Sequence, residues 1–428
     1  MDQGNTAFLL IAAALVLLMT PGLAFFYGGL VKAKSVISMM MLSFGALGLI
    51  GVLWVVYGYA IAFPGAEGLV APWSIDFTAI GLESLLETPE DAAFPPLAFV
   101  AFQATFAILT VALVSGAIAD RAKFGAWMVF AGIWATVVYF PVASWVFNFG
   151  LADDGSFAYG GWTTFGLQEW LGTGVIDFAG GTAVHINAGA AALALALVLG
   201  RRVVFQKGAH VPHNPPFVLL GAGLLWFGWF GFNAGSELAA DGTAAIAFVN
   251  TIAAPAAALL AWLVVEKIRN GKATSVGAAS GAVAGLVAIT PACASVTPMF
   301  AILLGIIAGA VCAVAVDLKF KLGFDDSLDV VGIHLVGGLI GTLFLGFFAN
   351  NTGLLQSGGN PSQLIAQAVS AVAVLVYSFV LAFVIGLAIE KTMGFRVKNE
   401  DEIAGIDTVV HGEEGYSFGE PVAASSRI

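Results

Sequence analysis

Residues 277–316 read GAASGAVAGLVAITPACASVTPMFAILLGIIAGAVCAVAV, a stretch without one charged side chain. As a single helix rising 1.5 Å per residue it would run about 60 Å, roughly twice the hydrocarbon thickness of a bilayer. Proline lacks the N–H that continues a helical ladder, so Thr297-Pro298 divides the stretch into two spans. That division sets the number of crossings, and with it the topology.

The rest of the chain has the same character. Hydrophobic residues make up 59% of its 428 positions and charged ones 10%, and the mean hydropathy is +0.95. An ordinary globular domain carries about 25% charged residues, so most of this chain must face lipid. The apolar content excludes disorder, and two cysteines, Cys293 and Cys312, both in apolar runs, exclude a disulfide scaffold. A net charge of -11 with no basic cluster beyond Arg201-Arg202 excludes nucleic-acid binding. After Asn399 the tail holds Glu400, Asp401, Glu402, Asp407, Glu413, Glu414 and Glu420 against Arg427.

Cutting at polar interruptions predicts an all-α polytopic protein of eleven transmembrane helices, near 6–31, 38–63, 95–118, 124–147, 174–199, 217–238, 244–265, 277–297, 299–318, 330–349 and 363–389. Every lysine and arginine, from Lys32 and Lys34 to Lys391, Arg396, Lys398 and Arg427, falls in alternate connections. The intervening ones hold acids such as Glu67, Glu83, Glu87, Glu90, Asp91, Asp153, Asp154 and Glu169. Basic loops stay cytoplasmic, which places the N-terminus outside and the C-terminus in the cytoplasm of a multi-pass cell (plasma) membrane protein. Met1 to Ala7 lacks a basic n-region, so no cleaved signal peptide is expected.

Eleven spans divide into two halves of five, about 6–199 and 217–349, plus an extra helix at 363–389. Because five is odd, the halves run oppositely, giving a 5+5 inverted repeat. Residues 1–395 form the transmembrane domain and 396–428 a cytoplasmic tail. The halves share a polar feature in their last helix: Asp177 and His185 in the fifth, Asp329 and His334 in the tenth.

Ionisable groups at bilayer depth cost a few kcal/mol or more and are functional candidates. His210, His213 and His411 lie in cytoplasmic segments, which leaves His185 and His334 in mid-span. Either alone could be interhelical glue; as a pair they suit relaying a proton or guiding a small polar molecule. Two imidazoles in contact would both resist charge. Asp177 reads as an N-terminal helix cap, and Asp329, after Asp325 and Asp326, reads likewise. Rows such as Gly277/Gly281/Gly285, Gly305/Gly309, Gly231/Gly235 and Gly337/Gly341 read as close-packing devices. The aromatics Phe102, Phe106, Trp145, Phe147, Trp226, Trp229, Phe230 and Phe232 read by composition as lipid-facing or interfacial.

Five motifs add a resemblance. Met19-Thr-Pro-Gly-Leu-Ala-Phe-Phe-Tyr-Gly-Gly29, Asp177-Phe-Ala-Gly-Gly-Thr-Ala-Val-His-Ile-Asn-Ala-Gly189, Trp229-Phe-Gly-Phe-Asn-Ala-Gly-Ser236, Ile289-Thr-Pro-Ala-Cys293 and Asp329-Val-Val-Gly-Ile-His334 resemble, in order, signatures of the ammonium transporter family (Amt/Mep/Rh). The resemblance implies a homotrimer with one narrow hydrophobic pore per subunit and a role in nitrogen metabolism. It carries the paired pore histidines onto His185 and His334, and the stacked phenylalanine gate onto Phe106 and Phe232. It places Phe102 and Ser236 at an outer recruitment site, Asp177 beneath it and Trp229 beside the pore. Many members have a tryptophan in the outer cage where this chain has Phe147, with Trp145 two residues earlier, so either could complete the cage. After the second histidine many members have glycine; here it is Leu335. The outer loop 153–173 is longer than in compact bacterial members. His411-Gly412-Glu413 resembles the family's tail motif, which implies an ordered regulatory segment that meets P-II signalling proteins.

The mechanism expected is recruitment of ammonium, or methylammonium as an analogue, then deprotonation near Asp177 and the gate. Ammonia would pass the histidines and be reprotonated inside, with or without a relayed proton. The chain is expected to be no enzyme, with no cofactor and no metal. Two histidines without a third nearby ligand do not make an intramembrane metal site. The rival reading is an ammonium sensor that signals through a partner.

Overall fold

The computed structural model describes residues 1–65, 68–90, 92–152, 156–206 and 211–416. The expectations for Glu67, Asp91, Asp153, Asp154, Lys207, His210, Glu420 and Arg427 lie outside these. Among the described residues ten helices are long and apolar enough to cross a bilayer: α1 Gln3–Leu30, α2 Ala33–Ala62, α3 Pro96–Ile118, α4 Phe124–Phe147, α5 Gly181–Leu199, α6 Pro215–Glu237, α7 Gly242–Asn270, α9 Pro298–Leu322, α10 Val331–Phe348 and α11 Ser362–Thr392. Between α7 and α9 lies the shorter apolar helix α8, Ser275–Ile289. Two short tail helices follow, α12 Asn399–Ala404 and α13 Ile406–His411. The strands, Phe149–Leu151 and Phe157–Gly160, form one small antiparallel hairpin after α4.

The uncharged stretch divides, but not solely at Pro298. Thr297 does cap α9, its hydroxyl accepting from the Phe300 N–H. α8, however, stops at Ile289 rather than near 297, and residues 290–295 form turns. Pro291 has no N–H to continue the ladder, and the freed backbone is used elsewhere. The Phe178 N–H donates to the Pro291 carbonyl, while the Asn250 amide donates to the Cys293 and Val296 carbonyls at 2.7 and 2.9 Å. α5 likewise starts at Gly181, later than the expected 174, because residues 174–180 are irregular, with a bend at 178–179 and a left-handed Gly180.

Lipid-facing helices show inverted amphipathicity. On α11, Val372, Val376, Val380 and Val384 are exposed, whereas Gln367, Ser370, Val374, Ser378 and Ala382 are buried. Two of the buried polar groups find backbone partners: the Gln367 amide donates to the Ile176 and Thr342 carbonyls at 2.8 and 3.1 Å, and the Ser378 hydroxyl to the Asn187 carbonyl at 2.8 Å. Glycine rows draw the helices together: a Cβ on Gly285 would lie 2.6 Å from the Ala258 side chain, so α8 seats directly against α7. Neighbour relations recur between the two sets of five. α1 packs on α3 as α6 packs on α8, α2 on α4 as α7 on α9, and α3 on α5 as α8 on α10.

Candidate functional site

The site is assembled where α5 and α10 begin. Both open with a π-helical turn, Gly181–Ile186 holding His185 and Val331–Leu335 holding His334. Such turns widen a helix locally and recur at functional positions. Ahead of α5, Gly180 adopts φ 114°, a left-handed conformation suited to glycine, and the chain folds back over Asp177. The Asp177 carboxylate then accepts from the N–H groups of Gly180 (2.9 Å), Gly181, Thr182 (2.8 Å) and Ala183 (3.2 Å) and from the Thr182 hydroxyl. Those N–H groups are the ones a helix start leaves without partners.

The corresponding carboxylate in the other half belongs to Asp326, which corrects the matching of Asp177 with Asp329. The Asp326 Oδ2 accepts from the Val331 N–H at 2.7 Å, five residues on, as the Asp177 Oδ2 accepts from Thr182. Both aspartates stand eight residues before their histidine, a spacing visible in the sequence and missed there. Asp329 sits at φ 64° and bonds the Lys319 ammonium at 2.6 Å instead. Burial lifts the Asp326 carboxyl to about 6, opposed in part by Lys319.

The two histidines meet, Nδ1 to Nδ1 at 3.2 Å, both buried. Only one proton fits between two Nδ1 atoms, so one ring presents Nε2–H and the other a bare Nε2. Close approach is secured by small residues: a Cβ on Gly338 would lie 3.2 Å from the His185 Cβ, and one on Gly189 2.5 Å from the Leu335 nitrogen. Leu335, which departs from the family's glycine, therefore seats against Gly189.

From the histidines an aromatic row leads toward the ends of α3, α4 and α6. The His185 ring lies 6.2 Å from Phe232 and 5.6 Å from Trp229. Phe232 stacks on Phe106 at 4.1 Å and 16°, and Phe106 meets Phe102 at 4.9 Å and Phe147 at 6.1 Å. Trp229 is held by a bond from its indole N–H to the Thr290 hydroxyl at 2.8 Å, which gives the turn after α8 a second task. Trp145 is turned elsewhere. Its N–H donates to the Pro72 carbonyl at 2.8 Å, and its ring packs on Tyr377 and Trp162. Ser236, half-buried at the end of α6, donates its hydroxyl to the Phe232 carbonyl at 2.7 Å.

A stacked aromatic pair thus leads to two bonded histidines inside a bundle of apolar helices. A sequence profile described as the Ammonium Transporter Family matches residues 7–416. The chain belongs to the ammonium transporter family. An "Ammonium transporter" of Mycobacterium bovis is 53% identical over 97% of this chain and 91% of its own length. The solved structure of Saccharomyces cerevisiae Mep2 superposes with a TM-score of 0.83 at 32% identity, covering 94% of this chain and 88% of that one. A structure titled "Sensor Amt Protein" gives 0.84 at 29% identity, covering 95% and 98%. Members of the family are transporters and channels rather than enzymes.

The tail is docked as far as Tyr416. Residues 395–397 exchange backbone bonds with 121–123, and the buried Glu402 accepts from Arg396 at 2.5 Å and from the Val203 N–H at 2.6 Å. The Asp407 carboxylate accepts from the Ile37 and Ser38 N–H groups at 3.1 and 2.7 Å, capping α2. Burial raises its pKa against the pull of those donors. His411 packs edge-on to Phe124, and the Tyr416 hydroxyl bonds His213 at 2.8 Å. Next to the segment bearing Glu402's partner, Arg202 pairs with Asp325 through two 2.9 Å bonds and with Asp120.

Proposed function

We propose that this family member conducts ammonium nitrogen across the plasma membrane as ammonia, along the line Phe147–Phe106–Phe232–His185–His334. The unbroken contact of that row with the bonded histidine pair is the observation that carries the reading. Phe102, Phe106 and Phe147 offer ring faces to a cation, each good contact contributing about 0.5–2 kcal/mol. The Ser236 hydroxyl spends its proton on Phe232, so its lone pairs are left to accept from an ammonium N–H. Potassium has no hydrogen to donate and no proton to lose.

Beyond the Phe106/Phe232 gate the bore is apolar, and a bare ion there is penalised heavily whereas neutral ammonia is not. The two inequivalent Nε2 atoms supply one donor and one acceptor to the passing molecule. Asp177, with five bonds to its oxygens, positions α5 and sets a negative potential beneath the recruitment site; its lone pairs are committed to those bonds. We read the chain as eleven crossings in a 5+5 inverted repeat, the repeat supported by the matching neighbour relations of the two sets of helices and the orientation, N-terminus outside and C-terminus inside, by the alternation of basic connections. The homotrimer rests on the family resemblance. The docked tail offers a cytoplasmic surface to a P-II protein.

Labelled methylammonium uptake into proteoliposomes, competed by ammonium, tests the reading; no competed uptake would sink it. His185→Ala and His334→Ala should each lower uptake at least about tenfold, or let potassium through, since each removes a bore-lining polar group. Unchanged uptake and potassium exclusion in both would remove the pair from the mechanism. Currents on solid-supported membranes separate net ammonium from ammonia transfer. The likeness to a protein titled a sensor favours signalling as the second reading, and a variant that signals without transporting would support it.

A further inference from the structure

The end of the path opposite the aromatic row holds a cavity of about 200 Å³, bordered by Leu30, Val276, Val316, Phe320, Leu328 and Asp329, with Lys319 among its walls. It lies against the first turn of α10, where a Cβ on Gly332, three residues after Asp329 and two before His334, would come 2.7 Å from the Val316 side chain. Besides Arg202, Gln206, Asp317 and Ser327, this end of the path gathers the three groups that bind a primary ammonium: the Asp329 carboxylate, the Asp326 backbone carbonyl and the Phe320 ring face. All three converge on one point. The point is occupied by the chain itself, for the Lys319 Nζ lies 2.6 Å from the Asp329 Oδ1, 2.8 Å from the Asp326 carbonyl and 5.4 Å from the Phe320 ring centre.

We infer that the Lys319 side chain is a tethered substitute for ammonium, filling the cytoplasmic-mouth site that would otherwise retain the transported cation. The contrast with the outer mouth carries the argument. There, Phe102, Phe106, Phe147 and Ser236 present ring faces and an acceptor with no lysine or arginine among them. At the inner mouth three of the described carboxylates already have a fixed cation, Asp329 with Lys319, Asp317 with Arg269 at 2.9 Å and Asp325 with Arg202, while the fourth, Asp326, is buried and receives Lys319 on its backbone carbonyl. A tethered ammonium competes at high effective concentration and is not released with the cargo. The exit thus releases ammonium instead of binding it, and cytosolic ammonium does not block inward passage. Lys319 is nearly buried although its partner Asp329 is about one third exposed, so the ammonium is held in the cavity rather than out in water.

This inference rests on the transport reading, and one experiment separates the two. Initial uptake of labelled methylammonium is measured into proteoliposomes preloaded with about 1–100 mM ammonium or with N-methylglucamine at equal ionic strength, a range set by the weak affinity of one carboxylate and one ring. Each protein serves as its own control through the ratio of the two rates. The wild-type ratio should stay near one. For Lys319→Met the ratio should fall about threefold once internal ammonium reaches twice the unmasked site's dissociation constant. Lys319→Met combined with Asp329→Asn should return to the wild-type ratio. Equal ratios in wild type and Lys319→Met overturn the inference while transport stands; no uptake by wild type overturns transport instead. Should Lys319→Met not transport, its thermal unfolding in detergent decides: ammonium should raise its midpoint more than it raises that of the wild type, and an equal rise overturns the proposal.

Discussion

The start of α5 and the start of α10 are the same device filled differently. Each has an aspartate eight residues before a histidine, a π-helical first turn and a bond from that aspartate to the N–H five residues on. At Asp177 both oxygens are saturated by four N–H groups and a hydroxyl. At Asp326 one oxygen serves Val331 and the other has no hydrogen-bond partner among the described residues. One carboxylate is locked into the backbone, and the other is buried at the expense of its own charge. The lesson is that matched positions in two halves need not do matched work: Asp177 builds the helix start, whereas Asp326 tolerates its place with help from Lys319.

The largest expected effect sets these two against each other. Asp177→Ala strands four N–H groups and a hydroxyl and should destabilise by about 4–5 kcal/mol, read by thermal unfolding in detergent, with uptake lost. Asp326→Ala should stay within about 1 kcal/mol of wild type at pH 7, because losing one N–H partner is offset by relieving a buried charge. Equal damage from both would break the comparison.

A pH profile sharpens it. The Asp326 pKa is raised in the folded protein to about 6, so the folded state binds its proton more tightly than the unfolded chain. The stability this group contributes is present in full below about pH 4 and lost as pH rises through about 6. Asp326→Asn should flatten that slope, by about 1–3 kcal/mol across the window. A slope retained in Asp326→Asn would assign it to another group.

The smallest effect separates the two aromatic candidates at the outer mouth. Phe147→Trp should strengthen cation–π contact by about 0.5–1 kcal/mol and lower half-saturation for methylammonium about threefold. Trp145→Phe should leave half-saturation unchanged and reduce stability by about 1 kcal/mol through the lost bond to Pro72. The opposite pattern would place Trp145 in the cage.

Much of this was legible in residue order because the membrane is a strict solvent. Apolar runs, alternating basic connections and the costliness of ionisable groups at depth singled out His185 and His334 and gave helix limits close to those found for α3, α4 and α10. Reading failed where a residue answered to a distant partner. Pro298 looked like the break in 277–316, yet α8 ends at Ile289 because its following turn is used by Phe178, Asn250 and Trp229. Asp329 looked like the partner of Asp177 by its place in a motif, and a lysine ten residues earlier claims it.

The sequence by itself determined that this chain lives in lipid, roughly where it crosses, which family it belongs to and which two histidines lie deep within it. These follow from transfer energies and patterning, which are properties of residues in order. Only the tertiary structure decided that the histidines touch Nδ1 to Nδ1, that Phe147 rather than Trp145 reaches the aromatic row, that Asp326 caps α10 and that Lys319 fills the cavity at the opposite mouth. Each depends on helices far apart in sequence approaching at small residues such as Gly189 and Gly338, and a one-dimensional pattern does not hold that geometry.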